Sequence, residues 1–117
     1  MRRMLIVDDE RDICACLEEF FKAHDFSIVS AFSGEEAMAC LEHEDVDVIL
    51  LDILLPGLSG LEILKRAKAK NPRTRVIIVT ALDEVRLRRE AWQYGAMAYV
   101  TKPFDFSETT WAAALQA

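Results

Sequence analysis

Met4-Leu5-Ile6-Val7-Asp8-Asp9, close to the start of the chain, is a short apolar run that stops on a pair of acids. The pattern returns further along: Val46 to Leu51 stops on Asp52, and Ala98 to Val100 is followed by Thr101 and Lys102. Short apolar runs rich in branched residues fit strands buried on both faces, as in a parallel sheet. Strands of such a sheet end on one common edge, and in open α/β sheets that edge binds ligands. The reading therefore predicts that three carboxylates and one ammonium share a pocket. At about 4 Å and an effective dielectric near 20, each like-charge pair costs roughly 4 kcal/mol, against a net domain stability of about 5 to 15 kcal/mol. Lys102 offsets part of this, and an oxygen-liganded divalent ion, Mg²⁺ before others, would offset the rest.

Outward from these runs, strand-like and helical spacings alternate, the βα pattern of a sheet covered on both faces. The expected strands are Met4 to Val7, Ser27 to Ala31, Val46 to Leu51, Arg75 to Thr80 and Ala98 to Thr101. Ile13, Leu17, Phe20, Phe21 and His24 recur at helical intervals, which predicts a first helix from about Glu10 to Ala23. Ser33-Gly34-Glu35-Glu36, Ser59-Gly60-Leu61-Glu62 and Asp105-Phe106-Ser107-Glu108 fit capping boxes and predict the starts of the second, third and fifth helices. Gly95 suits the end of the fourth, and Asn71-Pro72 closes the third.

One domain accounts for all 117 residues, and 52% hydrophobic residues suffice for its core. A net charge of -6 argues against direct nucleic-acid binding, which needs a basic face. The chain has neither a run of about 18 apolar residues nor the hydrophobic region of a signal peptide, so we expect a cytoplasmic protein without membrane contact. Cys14, Cys16 and Cys40 lack metal-site spacing and are expected to be reduced packing residues. The segment from Phe106 supplies only about three turns before Ala117, which leads us to expect the leading piece of a longer regulator.

The combination of acids after strands one and three, Thr80 after strand four and Lys102-Pro103 after strand five resembles the receiver domain of bacterial two-component response regulators. Carrying that resemblance are Leu5-Ile6-Val7-Asp8-Asp9-Glu10, Val48-Ile49-Leu50-Leu51-Asp52-Ile53-Leu54-Leu55-Pro56-Gly57, Val79-Thr80-Ala81 and Tyr99-Val100-Thr101-Lys102-Pro103-Phe104. It implies a flavodoxin-like (βα)5 doubly wound sheet of strand order 2-1-3-4-5 over residues 1–117. It also implies phosphorylation of Asp52, with Mg²⁺ (or Mn²⁺) held directly by Asp9, Asp52 and the backbone carbonyl of Leu54, and through water by Asp8. Lys102, Thr80, Ala81 and Tyr99 would stabilise the phosphoryl group or switch in response to it. Pro56, Gly57, Gly60 and Pro103 would shape the site loops, with a cis bond before Pro103.

The implied partners are a sensor histidine kinase or histidine phosphotransfer protein as donor, and an output domain or target protein at the face of the fourth helix, fifth strand and fifth helix. A phosphorylation-dependent homodimer is a further implied partner. On or near that face, Trp92 and Trp111 are expected as core or groove-lining residues and Arg86, Arg88 and Arg89 as a solvated helix face that an interface could use. Such a domain is a phospho-acceptor rather than a turnover enzyme. A Mg²⁺-dependent aspartyl phosphatase would need a second carboxylate where Leu54 stands, and a flavodoxin would need a phosphate loop where Asp8-Asp9-Glu10 stands. A stand-alone phospho-acceptor and a phosphate-independent docking module are the remaining alternatives.

Overall fold

Five strands and five helices alternate along the computed structural model, which describes residues 2–116: β1 Arg2–Val7, α1 Arg11–Lys22, β2 Phe26–Ala31, α2 Gly34–His43, β3 Val48–Leu51, α3 Gly60–Lys70, β4 Arg75–Thr80, α4 Val85–Gln93, β5 Ala98–Thr101 and α5 Ala112–Leu115. All strand pairings are parallel, in the order β2-β1-β3-β4-β5. Side chains alternate across the sheet and divide the core in two. Leu5, Val7, Ile49, Leu51, Val76 and Ile78 pack with α2, α3 and α4, whereas Met4, Ile6, Val48, Leu50, Ile77 and Val79 pack with α1 and α5. The doubly wound order read from the sequence is the observed one.

At two of the three expected helix starts the serine cap forms. Ser33 accepts from the Glu36 amide and Ser59 from the Glu62 amide, while the Glu36 carboxylate reaches back to the Phe32 amide. At the end of α4, the Gly95 and Ala96 amides donate to the Trp92 and Ala91 carbonyls, the paired bonds of a Schellman motif.

The fifth helix departs from expectation, beginning at Ala112 instead of at Asp105. The Asp105 carboxylate is taken up by the Ser107 amide and hydroxyl and by the Thr110 hydroxyl, so it closes a local turn and Glu108 does not reach back. Trp111 is a core residue, as its aromatic bulk favoured: it is fully buried, edge-on to Phe21 and Phe104, with its indole N–H donating to the Asp105 carbonyl. All three cysteines are free, but only Cys14 is buried, and Cys16 is exposed rather than packed. Among the described residues no helix is long and apolar enough to cross a membrane.

Candidate functional site

The sheet register carries the site. Val7 lies opposite Leu51 and Thr80 opposite Thr101, so Asp8, Asp52 and Lys102 each follow the last paired residue of a strand. The ladder continues one residue further in each case. The Asp8 amide donates to the Ala31 carbonyl, the Asp52 amide to Val7 and the Lys102 amide to Thr80, at 2.8 to 3.1 Å. Three charged residues are thus fixed by backbone bonds to a rigid edge, the placement that site geometry demands. Gly60 closes the far end of the β3–α3 loop, where a Cβ would lie 2.2 Å from the Asp52 carbonyl oxygen, so only glycine fits.

Lys102 is the hub. Its ammonium lies 2.7 Å from Asp8 Oδ2, 2.8 Å from Asp52 Oδ2 and 2.8 Å from Glu10 Oε1, so each of its three N–H donors has a carboxylate. Asp8 and Asp52 are buried and the Lys102 side chain is 9% exposed, whereas Glu10 reaches in from the surface. Asp52 Oδ1 accepts from the Leu54 amide and Asp8 Oδ1 from the Glu10 amide, which fixes both carboxylates. The Lys102-Pro103 bond is cis. Glu10 is the residue that the sequence reading passed over. It precedes α1, and its amide donates to Asp8 Oδ1 in a local turn that leaves both carboxylates on Lys102.

Burial works against the Lys102 ammonium, but hydrogen bonds to Asp52, Asp8 and Glu10 outweigh it and hold the pKa above the ordinary lysine value. Burial also raises the pKa of Asp8, with bonds from Lys102 and the Glu10 amide acting the other way. A carboxyl whose pKa is higher folded than unfolded favours folding at low pH, and that contribution is lost as pH rises through the folded pKa. Metal-free Asp8→Asn is therefore expected to be more stable than the wild type near pH 7, an advantage that shrinks toward about pH 3, below ordinary carboxylate pKa values. Urea unfolding at the two pH values checks this. The Cys14 thiol, donating to the Asp8 carbonyl at 3.3 Å, is pushed up to about 12 by burial and stays protonated beside the site.

Thr80 is fully buried one strand away, its hydroxyl oxygen 3.4 Å from the Leu82 amide. That bond uses the oxygen as acceptor, so the hydroxyl proton is free to donate. Ala81 is exposed beside it. Tyr99 donates to the Leu82 carbonyl at 2.5 Å, and the Arg88 guanidinium lies 4.5 Å above its ring. Asp83 holds Arg88 at 2.8 Å, so Arg88 braces the tyrosine rather than standing free on the helix. Trp92 is half exposed on α4.

Asp9 is exposed and does not join the group whose carboxylate oxygens lie within 4.8 Å of one another, which comprises Asp8, Glu10 and Asp52. Three carboxylates around a single ammonium leave an excess of negative charge, and hard oxygen donors with such an excess suit a small divalent cation. The donor chemistry thus fits Mg²⁺.

Comparison with known proteins agrees with this geometry. The family model for the response regulator receiver domain matches residues 4–114. Sporulation initiation phosphotransferase F of Bacillus subtilis is 39% identical over 106 residues, covering 91% of this chain and 86% of that protein. Other curated relatives are longer, and the chain spans 22 to 46% of their length. The response regulator TrrA of Thermotoga maritima, solved in complex with Mg²⁺-BeF, shares 34% identity with a TM-score of 0.85 and 97% of each chain covered. A CheY-like receiver domain protein from Methanospirillum hungatei reaches a TM-score of 0.92 at 27% identity, over 99% of this chain and 93% of that one. Strand order, charge cluster and matched span converge, and the chain belongs to the response regulator receiver domain family.

Proposed function

We propose that this receiver takes a phosphoryl group onto Asp52 from a phosphohistidine of a sensor kinase or histidine phosphotransfer protein. The observation that carries the reading is the buried Asp52 carboxylate held against Lys102 at the ligand-binding edge of the sheet. In this reaction an Asp52 oxygen attacks phosphorus in line, the phosphorus–nitrogen bond breaks, and the imidazole leaves with the electron pair. The transferring group spreads charge over three equatorial oxygens, so catalysis is positioning plus electrostatic stabilisation. Lys102 supplies one cationic contact from this chain. Asp9, Asp52 and the Leu54 carbonyl would hold Mg²⁺, with Asp8 acting through water and Glu10 as a further carboxylate in reach; the ion neutralises charge on the phosphoryl oxygens. Water later hydrolyses the acyl phosphate, returning the Asp52 carboxylate and inorganic phosphate; the phosphorylated chain in between carries the signal, the role of a phospho-acceptor.

Phosphorylation adds charge and acceptor oxygens beside Thr80, whose hydroxyl gains a strong partner. Moving a two-state equilibrium from 1:99 to 99:1 takes about 5.5 kcal/mol, and charge-assisted hydrogen bonds supply about 1.5 to 3 kcal/mol each. About two to four such bonds suffice. Tyr99 and the α4–β5–α5 face then repack, and that face presents the signal to an output domain, a target protein or a second copy of the chain. Incubation with acetyl phosphate and Mg²⁺ is expected to add the mass of one phosphoryl group, removable by hydroxylamine as an acyl phosphate is. Excess EDTA is expected to suppress the gain. A phosphate that survives hydroxylamine would place it on a hydroxyl and refute the assignment.

A further inference from the structure

The loop that follows Asp52, residues 54–59, has a fastening point outside the site. Its ends are tied locally: the Leu54 amide donates to Asp52 Oδ1, and the Gly60 amide donates to the Ile53 carbonyl. Its middle is held from α2. The Glu35 carboxylate accepts from the Leu58 amide at 3.2 Å, the one hydrogen bond among the described residues in which a side chain from another element holds this loop's backbone. Gly57, with φ of 77°, turns its Cα toward the same carboxylate, so that a Cβ there would lie 2.5 Å from Glu35 Oε1. Gly34 meets the loop equally closely, a Cβ there falling 2.6 Å from the Leu58 carbonyl oxygen. Two glycines thus let the first turn of α2 dock on the loop, and Glu35 supplies the polar bond.

We propose that Glu35 is a positioning residue for the metal site: by clasping Leu58 it holds the loop in the shape that presents the Leu54 carbonyl beside Asp52. The proposal rests on the reading of Leu54 as a backbone metal ligand. Glu35 touches neither the carboxylate cluster nor Lys102, so its effect travels only through the loop. Partners that orient a ligand are worth roughly 10- to 100-fold in metal affinity, and an exposed clasp belongs at the lower end.

Calorimetric titration with Mg²⁺ tests this, alongside hydrogen exchange of the Leu58 amide and urea unfolding. Glu35→Ala is expected to bind Mg²⁺ about tenfold more weakly, with faster exchange at Leu58 and an unchanged unfolding midpoint. Glu35→Gln keeps an acceptor oxygen while losing the charge, and is expected to restore both affinity and protection. Because both variants remove the same negative charge from the start of α2, a glutamine variant as weak as the alanine one would assign the effect to charge and overturn the clasp. Wild-type affinity in Glu35→Ala would overturn it too. A wild-type protein that binds no Mg²⁺ would sink the metal-site reading itself, and the proposal with it.

Discussion

Asp52→Asn is expected to gain no phosphate from acetyl phosphate and Mg²⁺, whereas the wild type is expected to gain one phosphoryl group per chain. Intact mass after equal incubation measures this. Loss is expected to be complete because an amide lacks the anionic oxygen that attacks phosphorus. The fold should survive, since Asn Oδ1 can still accept from the Leu54 amide and the Lys102 ammonium keeps Asp8 and Glu10. A matched thermal transition in the two proteins would show that chemistry, not folding, was removed. The neighbouring acids provide the internal control. Asp8 is buried under Lys102 and Glu10 is largely solvated, and neither follows β3, so neither should replace Asp52. Wild-type stoichiometry in the variant would move the acceptor to one of them and undo the assignment.

The place of Asp52 at the sheet edge was legible because the strands that frame it are uniformly apolar. A short run rich in branched residues such as Val48-Ile49-Leu50-Leu51 fits a strand buried on both faces, and the charge that follows such a strand then sits at the edge. The helix starts at Ser33 and Ser59 were legible for an equally local reason, the reach of a serine hydroxyl to an amide three residues on. The Asp105 turn defeated the same logic. Its carboxylate had two hydroxyl partners nearby, Ser107 and Thr110, and they outcompeted the helix amides.

Long-range polar contacts were harder to read. An exposed glutamate at the start of a helix looks like a capping residue, and nothing in its neighbours reveals that Glu10 meets a lysine 92 positions away. Glu35 was masked in the same way, because its capping-box neighbour Glu36 explains the sequence while Glu35 reaches Leu58 across the fold. Arg88 reads as part of a solvated face until Asp83 and Tyr99 are seen on either side of it. Burial decided Trp111: as an aromatic with one donor it fits an interface or a core, and the carbonyl of Asp105 meets its N–H inside.

Lys102→Met is expected to destabilise the metal-free protein at neutral pH by about 3 to 5 kcal/mol, the cost of breaking a buried ion pair by removing one partner. Methionine preserves much of the stem volume, so the loss reports charge rather than a cavity. Asp8 and Asp52, both nearly inaccessible, would face each other and Glu10 without a counter-ion. Two consequences separate this from a general packing defect. Acid should restore stability to the variant, because protonating Asp8 removes the repulsion, whereas a packing defect is indifferent to pH. Saturating Mg²⁺ should also restore it, since a ligand at 100 times its dissociation constant adds about 2.7 kcal/mol. At high pH the wild type loses its advantage. The raised Lys102 pKa gives the wild type a contribution that is fully present below the ordinary lysine value and is lost as pH rises through the folded pKa. On the alkaline side the gap between wild type and variant should therefore persist until strong alkali. Urea unfolding at acidic, neutral and alkaline pH, with and without Mg²⁺, measures each step. A loss below about 1 kcal/mol at neutral pH, the worth of an exposed pair, would mean that the three carboxylates do not depend on Lys102.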